Sequence, residues 1–88
     1  MTDDYAKLRE QLELQEWPGV YLFKFIVPNE LDLTARVTAL FNNAVDLTYH
    51  PSKTGKYMSI GAKEMMMDVD SIIVKYKQAA EIPGLIAL

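Results

Sequence analysis

Polarity alternates residue by residue on both sides of the turn-forming run Pro51-Ser52-Lys53-Thr54-Gly55. Before it, Val45, Leu47 and Tyr49 interleave with Asp46, Thr48 and His50; after it, Met58, Ile60 and Ala62 interleave with Tyr57, Ser59, Gly61 and Lys63. A period of two is that of a strand with one buried face. Pro, Ser and Gly favour turns. Val45 to His50 and Lys56 to Glu64 are therefore expected to form a hairpin, and the rest of the chain must cover its apolar side.

Three amphipathic helices are expected, and the second and third of them supply that cover. Asp4 to Glu16 places Tyr5, Leu8 and Leu12 at helical spacing, with Thr2, Asp3 and Asp4 as caps and first-turn acids. After Asn29 as a cap, Leu33, Val37, Leu40, Phe41 and Ala44 form one stripe, and Asn42 and Asn43 suit a left-handed stop. After Asp68 as a cap, the stripe is Val69, Ile72, Ile73, Tyr76 and Ala80. Between the first two helices, Val20 to Val27 is aromatic and β-branched, as strands are. Tyr21, Phe23, Phe25 and Val27 share one face, Leu22, Lys24 and Ile26 the other, and the apolar character of both predicts a central strand. Ile82 to Leu88 reads as a last, edge strand, because Pro83 cannot donate to a ladder.

The order is helix, then strand-helix-strand-strand-helix-strand. Right-handed crossovers then predict an α+β domain of ferredoxin-like split βαββαβ type, a four-stranded antiparallel sheet with two helices on one face and a short N-terminal helix besides. At 88 residues the chain suits one domain, spanning 1–88. No cysteine is present, which removes disulfides, zinc-thiolate sites and thiol catalysis and agrees with a cytoplasmic location. Met1-Thr2-Asp3-Asp4 is acidic and unlike a signal peptide, and no apolar run approaches the ~20 residues that span a bilayer. Twelve acidic against nine basic residues give a net charge of −3, the wrong sign for a polyanion-binding domain.

The segment from Pro51 to Ser59 reads Pro-Ser-x-x-Gly-x-Tyr-x-Ser. With Trp17-Pro18 and the aromatic-lysine pair Phe23-Lys24, it resembles the YbeD-like family of small bacterial proteins, over nearly the whole chain. Pro28 stands where that family often has a glycine. The family is similar to regulatory ACT-type domains, so the resemblance implies an ACT-like, ferredoxin-like fold and a small ligand or a second subunit as partner. It carries over no catalytic residue.

The candidate chemistry is sparse. The loop of Ser52, Lys53, Thr54, Gly55 and Lys56 can hold an anion on ammonium groups and free amides, or be a well-formed hairpin turn kept soluble by its lysines; it lacks the upstream glycine of a P-loop. His50, the single histidine, can shuttle a proton or be ordinary surface. Met65-Met66-Met67 offers soft thioethers or core packing. Asp68 and Asp70 read as a cap and a first-turn acid, and Asp46 and Glu64 lack an evident partner.

The outward sheet face combines Leu22, Lys24 and Ile26 with Thr48, His50, Tyr57, Ser59 and Lys63. It suits a contact surface, an RNA-binding face, which usually carries two or three aromatics, or a surface covered by a partner subunit or by the N-terminal helix. The expected function is a non-enzymatic regulatory or adaptor domain without cofactor or metal. It would self-associate or dock a protein through this face or through the edge strands, open to gating by a small ligand. Single-stranded RNA binding through Lys24, Tyr57 and Lys63, and a small enzyme built around His50 and the loop, are the alternatives.

Overall fold

The computed structural model of the chain describes residues 5–42 and 46–88. Its elements are α1 (Ala6–Glu13), β1 (Gly19–Pro28), α2 (Leu31–Thr38), β2 (Asp46–Pro51), β3 (Tyr57–Met66), α3 (Val69–Ala79) and β4 (Ile86–Ala87). The strands form one sheet in the order β2-β3-β1-β4. Every pairing is antiparallel. The long strands β1 and β3 therefore lie in the middle, registered from Gly19 opposite Met66 to Pro28 opposite Tyr57.

That register sorts the side chains. Phe25 faces Ile60 and Phe23 faces Ala62, and all four are buried. They join Leu12 of α1, Leu33 and Val37 of α2, and Ile72, Ile73, Tyr76 and Ala79 of α3 in one core. Aromatic rings dominate it: Phe23 packs edge-on against Tyr21 at 4.8 Å and within 5.5 Å of the Phe41 and Tyr76 rings. No polar or charged residue is fully buried among those described, and none of their helices is long and apolar enough to cross a membrane.

Several local expectations are corrected. Asn29 does not cap α2. Its side-chain amide donates to the Gly55 carbonyl at 2.9 Å and its backbone N–H to Lys56, so it fastens β1 to the hairpin, and Glu30 takes the cap position without a side-chain bond. The stripe of α2 outruns the helix: Leu40 and Phe41 follow its end, and Phe41 is still buried. No described non-glycine residue has positive φ, so Asn42 is not a left-handed stop. Thr2, Asp3, Asp4, Asn43, Ala44 and Val45 lie outside the described residues. In α3 it is Ala79, not Ala80, that turns inward.

The last strand is much shorter than Ile82 to Leu88. Gly84 has φ +74°, and the turn around Pro83-Gly84 leaves only Ile86 and Ala87 paired to β1. Ile82 instead plugs the core. The cap at Asp68 forms as read from the sequence: its carboxylate accepts from the Ser71 N–H at 2.8 Å and from the Ser71 hydroxyl at 2.6 Å.

Candidate functional site: the open sheet face

Because β1 buries its odd-numbered residues, its even-numbered ones share the opposite face. The register puts Val20 opposite Met65, Leu22 opposite Lys63, Lys24 opposite Gly61 and Ile26 opposite Ser59. On β2, Asp46 stands opposite Lys63, Thr48 opposite Gly61 and His50 opposite Ser59. Ile86 lies beside Ile26, and the Leu88 N–H donates to the Lys24 carbonyl at 2.9 Å. The fold thus brings Lys24, His50, Tyr57 and Ser59 of the sequence-derived set to one surface, together with Leu22, Ile26, Thr48 and Lys63.

Among the described residues nothing covers the surface. Val20, Leu22, Met65, Ile86 and Leu88 are each more than half exposed. The N-terminal helix does not cover it, contrary to one sequence-derived reading. Leu12 of α1 enters the core, the Arg9 guanidinium meets the Asp70 carboxylate of α3 at 2.6 Å, and Lys77 lies over the Tyr5 ring. These contacts hold α1 on the helical side.

Two further residues contribute to the face. Met65 does not pack into the core, because β3 runs to Met66 and alternation buries Met66 and exposes Met65. Val20 shares the parity of Leu22, and Met65 that of Lys63, so the period-two pattern carried one residue beyond Glu64 and back to Val20 assigns both to the face. Apolar character on both faces of β1 predicts a central strand, and β1 is central, with the face of Leu22, Lys24 and Ile26 open.

The layout is two-sided. A stripe of Met65, Val20, Leu22, Ile26, Ile86 and Leu88 follows β1 and β4, while Asp46, Thr48, His50, Ser59 and Tyr57 lie toward β2. The Gly61 position between them is filled by its neighbours: a Cβ there would meet the Thr48 hydroxyl oxygen at 2.8 Å and a Leu22 methyl at 4.0 Å. Lys24 and Lys63 stand in the middle on adjacent strands, and neither is ion-paired among the described residues.

The aromatics of β1, which an RNA platform would need outward, turn into the core: Phe23 and Phe25 are fully buried and Tyr21 is partly buried against Tyr76. Tyr49 also faces the helical side, sharing a 2.8 Å hydrogen bond with Thr38 of α2. Tyr57 alone represents the aromatics on the open face of the described strands.

Ser52, Lys53, Gly55 and Lys56 belong to a separate loop at one end of the sheet. The N–H groups of Ser52 and Gly55 are committed within it. The Gly55 N–H bonds the Ser52 carbonyl, the Ser52 N–H bonds Tyr57, and the Tyr57 N–H donates to the Ser52 hydroxyl at 3.2 Å. The Gly55 and Lys56 carbonyls accept from Asn29. This network makes a rigid turn that presents Lys53, Thr54 and Lys56 to solvent. His50, exposed on β2, stands across from Ser59 and outside that network.

On the helical side, one cleft of about 410 Å³ lies along α3 between Asp68 and Gln78, and another of about 430 Å³ lies between the end of α2 and Glu81. Glu64 is not without a partner: its carboxylate lies 3.8 Å from the Lys75 ammonium.

Comparison with known proteins finds no relative for this arrangement: no family model matches the chain, and no curated protein or solved structure is a significant match.

Proposed function

We propose that this chain is a ferredoxin-like, non-enzymatic regulatory or adaptor domain of the bacterial cytoplasm that works by seating another protein surface on its open sheet face. One observation carries the reading. An 88-residue domain with a complete core on one side of its sheet leaves Val20, Leu22, Met65, Ile86 and Leu88 exposed on the other, with two lysines that have no ion pair among the described residues. Exposed apolar side chains gathered on one face mark a contact surface, because covering them gains roughly 25 cal/mol per Å². The YbeD-like Pro51-to-Ser59 segment supports the same class. A small ligand could gate such docking from the clefts on the helical side, whereas the bonded Ser52 and Gly55 N–H groups and the Asn29 contacts to the Gly55 and Lys56 carbonyls favour a structural turn over an anion site in the Ser52–Lys56 loop.

The edge strands are the weaker docking route. Only Ile86 and Ala87 form β4, and β2 ends at Pro51, which cannot donate to a new strand.

The test is sedimentation of the purified chain over a wide concentration range, alone and with candidate partners, in wild type and in a Leu22→Asp/Met65→Asp variant. The reading expects an assembly, with a second copy or another chain, that the variant loses while its far-UV spectrum and unfolding midpoint hold. A wild-type chain that stays monomeric with every partner, or assemblies indifferent to the variant, would defeat it.

A further inference from the structure

We infer that the open face is shaped for an acidic amphipathic segment of a partner protein, a helix of a few turns with an apolar stripe bordered by carboxylates. The inference rests on the docking reading and names the chemistry of what docks.

The charges are the first ground. The chain as a whole is acidic, at −3, but the face has the opposite sign. Lys24 and Lys63 stand at its middle, and Asp46 at the β2 margin is the single carboxylate that the register places there. Lys24 is exposed opposite Gly61, over which Thr48 and Leu22 lean, and Lys63 is exposed between Leu22 and Asp46. A partner that buries the stripe must approach both ammonium groups. Carboxylates at its edge would then replace lost hydration with charge-assisted contacts; cations would be repelled.

The dimensions are the second ground. From Val20 to Ile26 the stripe runs about 20 Å at ~3.3 Å per residue. A helix of roughly 13 residues spans that length at 1.5 Å per residue. Apolar side chains at i, i+4, i+7 and i+11, about 17 Å from first to last at 1.5 Å per residue, would follow the stripe from Met65 and Leu22 to Ile26 and Ile86, as a helix-in-groove contact does.

A second copy of this chain fits less well. An isologous contact centred on the stripe places Lys24 and Lys63 against the same residues of the other copy. Four ammonium groups would then gather around one axis with Asp46 displaced to the margin. RNA fits less well too, since Phe23 and Phe25 are buried and the described strands bring only Tyr57 and the imidazole of His50 to the face for stacking.

The experiment measures fluorescence anisotropy of a labelled 14-residue synthetic helix, with leucines at i, i+4, i+7 and i+11 and glutamates on both borders, titrated with the protein. A second peptide replaces every glutamate with lysine. The glutamate peptide is expected to bind at least tenfold tighter than the lysine peptide and to weaken with salt. The charge reversal Lys24→Glu/Lys63→Glu is expected to invert that preference. Leu22→Ser and, independently, Met65→Ser should each weaken binding severalfold without lowering the unfolding midpoint, since both side chains are exposed.

Equal binding of the two peptides, no inversion by the charge reversal, tighter binding of an oligouridylate, or a wild-type dimer that Leu22→Ser dissolves would each overturn the acidic-segment inference. A Leu22-dependent dimer or equal peptide binding would leave the docking reading standing. A chain that is monomeric throughout and binds neither peptide would end both.

Discussion

The ammonium group of Lys75 lies 3.8 Å from the Glu64 carboxylate and also donates to the backbone carbonyl of Leu40, so one side chain of α3 ties β3 to the end of α2. It further lies 5.0 Å from the centroid of the Phe41 ring. Both charged side chains are nearly buried, at 17% and 15% exposure, and one Glu64 oxygen has no hydrogen bond of its own.

A double-mutant cycle should therefore show strong coupling. Lys75→Met leaves the Glu64 carboxylate uncompensated at low exposure, for an expected loss of about 2–3 kcal/mol. Lys75→Met with Glu64→Gln should recover at least half of that, since the stranded charge is gone. Urea unfolding measures both, and additive single effects would show that the pair is not coupled.

The Tyr21 and Tyr76 hydroxyls share a 2.8 Å hydrogen bond beneath the helices. Burial, then the Tyr21 hydroxyl, raises the pKa of Tyr76 well above its ordinary 10.0. The unfolded chain releases this proton at a lower pH than the folded one. The stabilising contribution is thus complete below about pH 10 and is lost as pH rises toward the folded value. Tyr76→Phe should cost about 1 kcal/mol at neutral pH and flatten the alkaline fall in the unfolding midpoint.

Asp68 should govern part of the acid limb. Hydrogen bonds from the Ser71 hydroxyl and the Ser71 N–H hold its carboxyl below the ordinary 3.8. A depressed folded pKa means stability that is present above the unfolded value and lost as pH falls through the folded one. Asp68→Asn keeps an acceptor for the Ser71 N–H, so it should remain folded at neutral pH and show a shallower acid loss than wild type. Asp68→Ala should lower the urea midpoint at neutral pH as well.

Gly84→Ala should destabilise by roughly 1–2 kcal/mol. Its φ is +74°, and an added Cβ would stand 3.0 Å from two carbons of the Pro28 ring. At roughly 4 to 8 °C per kcal/mol for a domain of this size, the midpoint in a thermal scan should fall by about 5 to 15 °C. Gly55→Ala shares the positive φ, but a Cβ there would meet nothing within 4 Å. It should cost less than Gly84→Ala, and the difference reports the Pro28 contact.

Sequence period and composition were enough for the residues that belong to regular elements. Alternation in Asp46 to His50 and Tyr57 to Lys63 assigned every side chain to its observed face, and the stripe of Ile72, Ile73 and Tyr76 marked the buried side of α3. The failures lie where a distant partner overrides a local preference. Asn29 has the chemistry of a cap but is drawn to Gly55, and Ile82 has the chemistry of a strand but sits in the core because Gly84 turns the chain.

What the sequence by itself determined is the set of strands and helices and the two faces of each strand, because periods of two and 3.6 are properties of the local backbone. It also determined the Asp68 cap, whose partner is three residues away. What only the tertiary structure decided is which apolar face stays bare. Leu22 and Ile26 are as apolar as residues of a buried strand, and nothing local tells a covered face from an open one. The answer lay in where α1 docks. Its Leu12, Arg9 and Tyr5 find Tyr76's helix, not the outer face of β1, and that placement leaves Lys24 and Lys63 at the middle of a surface that a partner can read.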